Sequence, residues 1–205
     1  MLHKTLLFSL CCLFPLGAET LSQGERDRAM SHLHATRKLF VDATANLSEA
    51  QWKFKSAPDR WSVAECAEHL TESETFLRGL LTATLAKSPV DEAKRAAREK
   101  DRAAMDAKVP AMISDRSQKA QAPEPLRPTG KLGSQGQVVD TFRQRRDETI
   151  AMVEQTKEDL RGRYFALGGA MEIDLYQMLF MISGHTERHV KQMREVMADP
   201  NFPKR

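Results

Sequence analysis

Apolar residues recur at helical spacing along four long stretches of this 205-residue chain, and this periodicity constrains the fold more than any other feature. The stretches run from about 23 to 46, 62 to 86, 138 to 160 and 172 to 198. None of them alternates between apolar and polar residues as a half-buried strand would. The pattern therefore predicts an all-α protein built from four long amphipathic helices.

A long connection, residues 88–136, separates the second and third of these stretches. Its first part, 88–112, is charged and rich in alanine, which predicts a solvated helix. The part from 114 to 136 has no periodicity and carries several prolines and glycines, which predicts a mobile loop. A connection of this length can run the full length of a bundle, so the helices on either side of it can be parallel. We therefore expect a four-helix bundle with one long crossover between helices two and three.

The N-terminus differs from the rest of the chain. Residues 1–18 combine a charged tip at Lys4, a short apolar run and small residues at Gly17 and Ala18, which predicts a secretory signal peptide. The run is too short for a comfortable membrane span, and polar sequence follows at once. We expect an exported, periplasmic or extracellular protein with a bundle domain over 19–199, a short tail over 200–205 and no stable membrane span after signal removal.

Charge and cysteine content narrow the classes of function. Without residues 1–18 the chain keeps 30 basic and 28 acidic residues, because Lys4 is the one charged residue removed. This near balance argues against a nucleic-acid binder. Cys66 is then the sole cysteine, so the fold must be held together by packing rather than by an intramolecular disulfide.

The most informative side chains are two histidines in the fourth stretch. His185 and His189 lie four residues apart on one apolar helix face, which directs both rings toward the core. Buried imidazoles need partners for both ring nitrogens, and hydrogen bonds inside the core are one way to supply them. A metal ion is the other. With His69 from the second helix as a third ligand, the sequence predicts a three-histidine metal site.

Three neutral imidazoles would leave a divalent ion with its full charge and at least one open coordination position. Zinc suits this ligand set, and nickel, iron or copper would also accept it. Glu65, one turn before His69, and Gln192, three residues after His189, are candidates for orienting the rings.

Two better-known metal motifs are not matched. The zinc-protease signature H-E-x-x-H needs an acid directly after the first histidine, where this chain has Thr186, and Glu187 is rotated away from the metal. A ferritin-like di-iron centre needs Glu-x-x-His pairs, but Cys66 and Ile182 occupy the glutamate positions. A protease and a di-iron carboxylate protein are therefore disfavoured.

Three segments together resemble the DinB-like superfamily of metal-binding four-helix bundles. They are SEAQW at 48–52, PDRWSVAECAEHL at 58–70 and GHTERHVKQ at 184–192. The resemblance implies an up-down-down-up bundle and a divalent metal, often zinc or nickel, at the places of His69, His185 and His189. Homodimers are frequent among such relatives, so a homodimer is implied here as well. Characterised relatives include thiol S-transferases and an isomerase that use bacillithiol or mycothiol, and others are described as metal-dependent hydrolases.

Two functions from different classes remain open at this point. In the first, the chain is an exported metalloenzyme of S-transferase or hydrolase type, whose metal activates a thiol or a water against an unknown small-molecule substrate. In the second, it is a non-catalytic metal-binding or interaction module of the cell envelope.

Overall fold

The computed structural model describes residues 20–168 and 171–204, so the predicted signal peptide lies outside the described residues. Within this part of the chain, long helices are joined by short helical turns and one small hairpin. The helices are α1 (Gln23–Thr44), α2 (Glu49–Lys53), α3 (Val63–Lys87), α4 (Glu92–Arg98), α5 (Arg102–Ser114), α6 (Gln135–Gln155) and α7 (Leu175–Met197). The strands are β1 (Tyr164–Gly168) and β2 (Met171–Asp174), and 3-10 turns occur at Glu99–Asp101 and Glu124–Leu126.

Local sequence determines where the long helices begin. A capping box, in which the N-cap side chain and the side chain three residues later satisfy each other's backbone N–H groups, opens α2 at Ser48 and α3 at Ser62. The same arrangement opens α1 at Ser22, α6 at Ser134 and α7 at Asp174. All four bundle helices therefore start at a defined residue.

Contacts near the helix ends fix the directions of α1, α6 and α7. Arg26, in the first turn of α1, donates to the carbonyl of Glu154 at the end of α6, at 3.1 Å. The hydroxyl of Tyr176, in the first turn of α7, donates to the carbonyl of Glu25 at 2.8 Å. Helix α1 is therefore antiparallel to α6 and parallel to α7.

The remaining directions follow from α3. The Thr71 hydroxyl is 3.5 Å from the Val138 carbonyl near the start of α6, and Arg78 donates to the Arg145 carbonyl about two turns later on both helices, at 2.7 Å. Helices α3 and α6 are thus parallel, on either side of the long connection. Cys66 near the start of α3 packs in one apolar cluster with the end of α7, so α3 and α7 are antiparallel. The predicted all-α, up-down-down-up bundle with a long crossover is confirmed.

The segment between α6 and α7 departs from the prediction. The third helix was expected to continue to about 160 and the fourth to begin near 172, but α6 ends at Gln155 and α7 begins at Leu175. An antiparallel hairpin fills the gap, pairing Tyr164 with Asp174 and Phe165 with Ile173. The strands are five and four residues long, too short for alternation to stand out.

The long connection also differs in detail. Instead of one helix over 88–112 it forms α4, a 3-10 turn and α5, and α5 packs along the outside of α7. The close approach is made at Gly184, where an added Cβ would lie 2.8 Å from the carbonyl oxygen of Pro110. Because Gly184 has no side chain, the backbone of α5 can approach α7 closely at this point.

A buried charged layer divides the bundle core. Arg146, which is fully buried, donates to the carboxylate of Glu74, to the hydroxyls of Thr36 and Thr186, and to the carbonyl of Leu33. The layer thus joins α6 to α3, α1 and α7. The core has two apolar clusters, and on each of the four long helices the residue of the Arg146 layer lies between them.

None of the helices among the described residues is both long and apolar enough to span a membrane.

Candidate metal centre

The three predicted ligands meet in the bundle on one side of the Arg146 layer. The ring centroid of His69 on α3 lies 5.0 Å from that of His185 and 4.5 Å from that of His189, and the two α7 rings are 4.7 Å apart. One ring nitrogen from each histidine lies within 4.8 Å of the others. Two helices that are far apart in sequence therefore present three imidazoles to one point.

The spacing fits a single metal ion. The Nε2 atoms of His69 and His185 are 3.2 Å apart. Two nitrogens bound to one tetrahedral zinc at about 2.0–2.1 Å would lie about 3.3 Å apart. Without a proton between them, two facing lone pairs at this distance repel, and a cation placed between them removes that repulsion.

Hydrogen bonds on the outer nitrogens orient two of the three rings. His69 Nδ1 lies 2.8 Å from the carbonyl oxygen of Leu126, and a carbonyl can only accept, so this nitrogen carries the proton. His189 Nδ1 lies 2.9 Å from Oε1 of Gln192 and donates to it in the same way. In both rings the Nε2 lone pair is therefore left free for a metal, which is the usual role of such outer partners.

Burial keeps the rings neutral. It lowers the pKa of His69, and it lowers the pKa of His185 to about 3, with a smaller contribution from neighbouring His69. Burial, together with the two other histidines, holds the pKa of His189 well below its ordinary value. Because only a neutral imidazole can bind a metal, the site is ready for one at neutral pH.

The two predicted orienting residues are placed differently. Gln192 contacts His189 as described above. Glu65 is not brought to His69: its carboxylate accepts from the backbone N–H of Ser62 at 2.8 Å and pairs with Lys55 at 3.0 Å. The capping box that starts α3 engages this carboxylate, and the carbonyl of Leu126 takes the expected position beside His69 instead.

Cys66 is not a ligand in this arrangement. It lies in the apolar cluster with Phe40, Trp52 and Met193 and is fully buried. Burial raises the pKa of this thiol far above its ordinary value. It is therefore a packed, unreactive thiol.

Three neighbours of the site were not predicted from the sequence. Leu126 contributes a backbone carbonyl, which no side-chain motif can reveal. Arg116 donates to Oε1 of Gln192 at 3.2 Å and pairs through two nitrogens with Glu195. Trp61 stacks on His189 with ring centroids 5.9 Å apart and also contacts His69 at 5.0 Å. The indole forms an apolar wall beside two of the three rings.

A separate cleft of about 420 Å³ lies at the N-terminal end of α7, where α5, the hairpin and the first turn of α7 meet. Met105, Tyr164 and Gln177 are among its lining residues. Gln177 precedes His185 by eight residues on one helix, a rise of about 12 Å, so this cleft is distinct from the histidine site.

Fold and site together define a metal-binding four-helix bundle. The chain matches the model of the DinB superfamily over residues 32–193, and it belongs to that superfamily. The match includes His69, His185 and His189 and spans most of the described bundle.

Two proteins of Bacillus subtilis are similar to this chain. The uncharacterized protein YuaE of strain 168 is 23% identical over 150 residues, which span 73% of this chain and 85% of YuaE. The solved structure of YfiT is 16% identical and superimposes with a TM-score of 0.56, over 90% of this chain and 94% of YfiT. YfiT is described as a probable metal-dependent hydrolase with an unusual four-helix bundle topology. At this identity the likeness establishes the shared fold.

Proposed function

We propose that this chain is an exported metal-dependent enzyme of hydrolase or S-transferase type, with a divalent metal held by His69, His185 and His189. The observation that carries the proposal is the convergence of three imidazoles, two buried and one half-buried, whose ring nitrogens lie within 4.8 Å of one another. Zinc or nickel is the proposed metal, because three neutral imidazoles suit both ions. The description of YfiT as a probable metal-dependent hydrolase supports the hydrolase type.

A divalent ion bound by three neutral ligands keeps its full charge and acidifies a bound water or thiol. The protein residues do the rest. Leu126 and Gln192 hold the protons of His69 and His189 on Nδ1, which keeps both Nε2 lone pairs directed at the ion. Trp61 excludes water from one side of the rings. Cys66, the one cysteine among the described residues, takes no part, so within this part of the chain no side chain supplies a thiol for activation and a small molecule would supply it.

A non-catalytic metal-binding module of the cell envelope is the second candidate, and the burial of the site favours it. His69 is 3% exposed and His189 is 8% exposed, and the indole of Trp61 packs against both. The cleft of about 420 Å³ also lies away from the rings. A metal in this site would have room for substrate only on the side of His185, which is half-buried.

Elemental analysis of protein purified without chelator tests the metal site. We expect about one divalent ion per chain in the wild type and less than a tenth of that in His69→Ala, because two imidazoles on one helix hold an ion weakly. His34→Ala, which removes an exposed histidine on α1, is the matched control and should keep its metal. Wild-type protein without stoichiometric metal would contradict both candidate functions.

Activity separates the two candidates. Metal-loaded protein is assayed on a panel of esters and on thiol–electrophile pairs, with His185→Ala as the inactive control. Turnover that chelator abolishes and added zinc or nickel restores would support the enzyme. Full metal occupancy with no turnover in either class would favour the binding module.

Export is tested on the full-length chain expressed in a bacterium. We expect the recovered protein to begin at or near Glu19, as determined by mass spectrometry. Recovery of the uncut chain from the cytoplasm would contradict export without affecting the metal site.

A further inference from the structure

Glu68, directly before the metal ligand His69 on α3, is a buried carboxylate that the metal site itself does not use. It accepts hydrogen bonds from the backbone N–H groups of Thr129, Gly130 and Lys131, at 3.2, 2.7 and 3.1 Å, and its Oε1 lies 3.4 Å from the Thr129 hydroxyl. Gly130 has a φ of +78°, in the left-handed region that favours glycine. The carboxylate is therefore enclosed by one turn of the long connection.

The same segment also supplies the partner of His69. Only three residues before Thr129, Leu126 places its carbonyl 2.8 Å from Nδ1 of His69 and buries its side chain. Successive residues on a helix point about 100° apart. Glu68 and His69 therefore contact two different parts of the segment 126–131: Glu68 binds the backbone of 129–131, and His69 binds the carbonyl of Leu126. Moving residues 129–131 away from Glu68 would carry the Leu126 carbonyl away from the ring.

The other end of this connection is tied to the helix that carries the remaining ligands. Arg188, directly before His189, donates to the carbonyl of Gln118 at 2.6 Å. Arg116 reaches Gln192, the hydrogen-bond partner of His189. Residues 116–131 thus form hydrogen bonds to both helices that carry metal ligands. Glu68 makes the contact on α3, and Arg188 and Gln192 make the contacts on α7.

We propose that Glu68 is a positioning residue for the metal site, acting through the segment 126–131. By binding that segment's backbone it fixes the Leu126 carbonyl, which in turn holds the proton of His69 on Nδ1 and leaves Nε2 free for the ion. The inference rests on the proposed metal site. Because coupling between two binding equilibria is reciprocal, metal binding must stabilise the segment by as much as the ordered segment strengthens metal binding.

Glu68→Gln tests the proposal, since it keeps the size of the side chain but replaces one acceptor oxygen by an NH2 group. That group would face backbone N–H donors and could not accept from them. Glu72→Gln is the matched control: it lies one turn along α3 and contacts the same segment only through the Lys131 side chain, at 3.3 Å. Zinc affinity is measured by competition with a chromophoric chelator. We expect Glu68→Gln to bind zinc about 10- to 100-fold more weakly, as is usual when the partner that orients a ligand is lost, and Glu72→Gln to match the wild type.

Two further measurements separate positioning from a general loss of stability. Cobalt(II) absorption reports the ligand geometry and should change in Glu68→Gln but not in Glu72→Gln. Amide hydrogen exchange at residues 126–131 should slow on zinc addition in the wild type, and in Glu68→Gln it should be faster and respond less. A variant that is merely less stable would show wild-type affinity and spectrum wherever it is folded.

A second variant covers the case in which Glu68→Gln does not fold. Gly130→Ala leaves α3 unchanged, and the added Cβ meets nothing within 4 Å, but the positive φ strains the turn that binds Glu68. It should weaken zinc binding in the same direction. Wild-type affinity in whichever of the two variants folds would overturn the inference while leaving the metal site intact. A wild-type protein that binds neither zinc nor nickel would overturn the proposed function itself.

Discussion

The Arg146 layer allows a quantitative prediction about stability. All five N–H donors of this guanidinium are used: two on Glu74, and one each on Leu33, Thr36 and Thr186. Substitution Arg146→Met keeps much of the buried volume but leaves the carboxylate of Glu74, which is 3% exposed, without its cation. Breaking a buried pair by removing one partner costs about 3–5 kcal/mol. We expect the free energy of unfolding to fall by that amount.

The assay is equilibrium unfolding in urea, with chelator present so that metal binding does not add to the stability. Arg37→Met is the matched control on the neighbouring helix, because Arg37 pairs with the exposed Asp147. Loss of such a surface pair should cost less than about 1 kcal/mol. A cost below about 1 kcal/mol for Arg146→Met, or equal costs for the two variants, would contradict a stabilising role of the buried pair.

Two further predictions concern the helix that carries His185. Gly184→Ala should cost about 1–3 kcal/mol in urea unfolding, because the Cβ would meet backbone atoms of Pro110 at 2.8 and 3.0 Å, whereas Gly79→Ala on exposed α3 surface should be neutral or stabilising. Acid should destabilise the metal-free protein: burial lowers the pKa of His185 to about 3, so the unfolded chain takes up a proton near pH 6.5 that the folded chain does not. The contribution of neutral His185 to the free energy of unfolding is therefore present above pH 6.5 and lost as the pH falls toward 3. In urea unfolding at pH 7, 6 and 5, the free energy of unfolding should depend less on pH in His185→Leu than in the wild type.

Sequence predicted the parts of the site that are carried by side chains on regular helices. His185 and His189 share a face because four residues make about one turn, and the capping box at Ser62 fixes where α3 begins and so where His69 points. Both signals are local. The antiparallel packing of α3 on α7, which brings His69 to the other two rings, followed from the long connection and from the family resemblance.

The parts that could not be predicted depend on irregular backbone. The carbonyl of Leu126 is a group that every residue carries, so only the path of the connection can select it. Glu65 has a suitable spacing from His69, but its carboxylate accepts the backbone N–H of Ser62 in the capping box and so does not reach the ring. The hairpin was missed for a similar reason: its position depends on the contacts of Arg161 with Asp174 and Asp106, at 3.0 and 2.7 Å, which link distant segments.

The Arg146 layer and the metal site share α3 and α7, so we expect the layer to affect metal binding as well as stability. Thr186 follows His185 directly, and Glu74 lies five residues after His69, so the guanidinium fixes the axial alignment of α7 against α3 close to the rings. Replacing a buried ion pair by apolar residues of similar size is often neutral or stabilising. The double variant Arg146→Met, Glu74→Leu should therefore recover most of the stability lost in Arg146→Met. If the layer sets the alignment, the same variant should still bind zinc more weakly than the wild type in a chelator competition, and wild-type affinity would show that apolar packing alone aligns the three histidines.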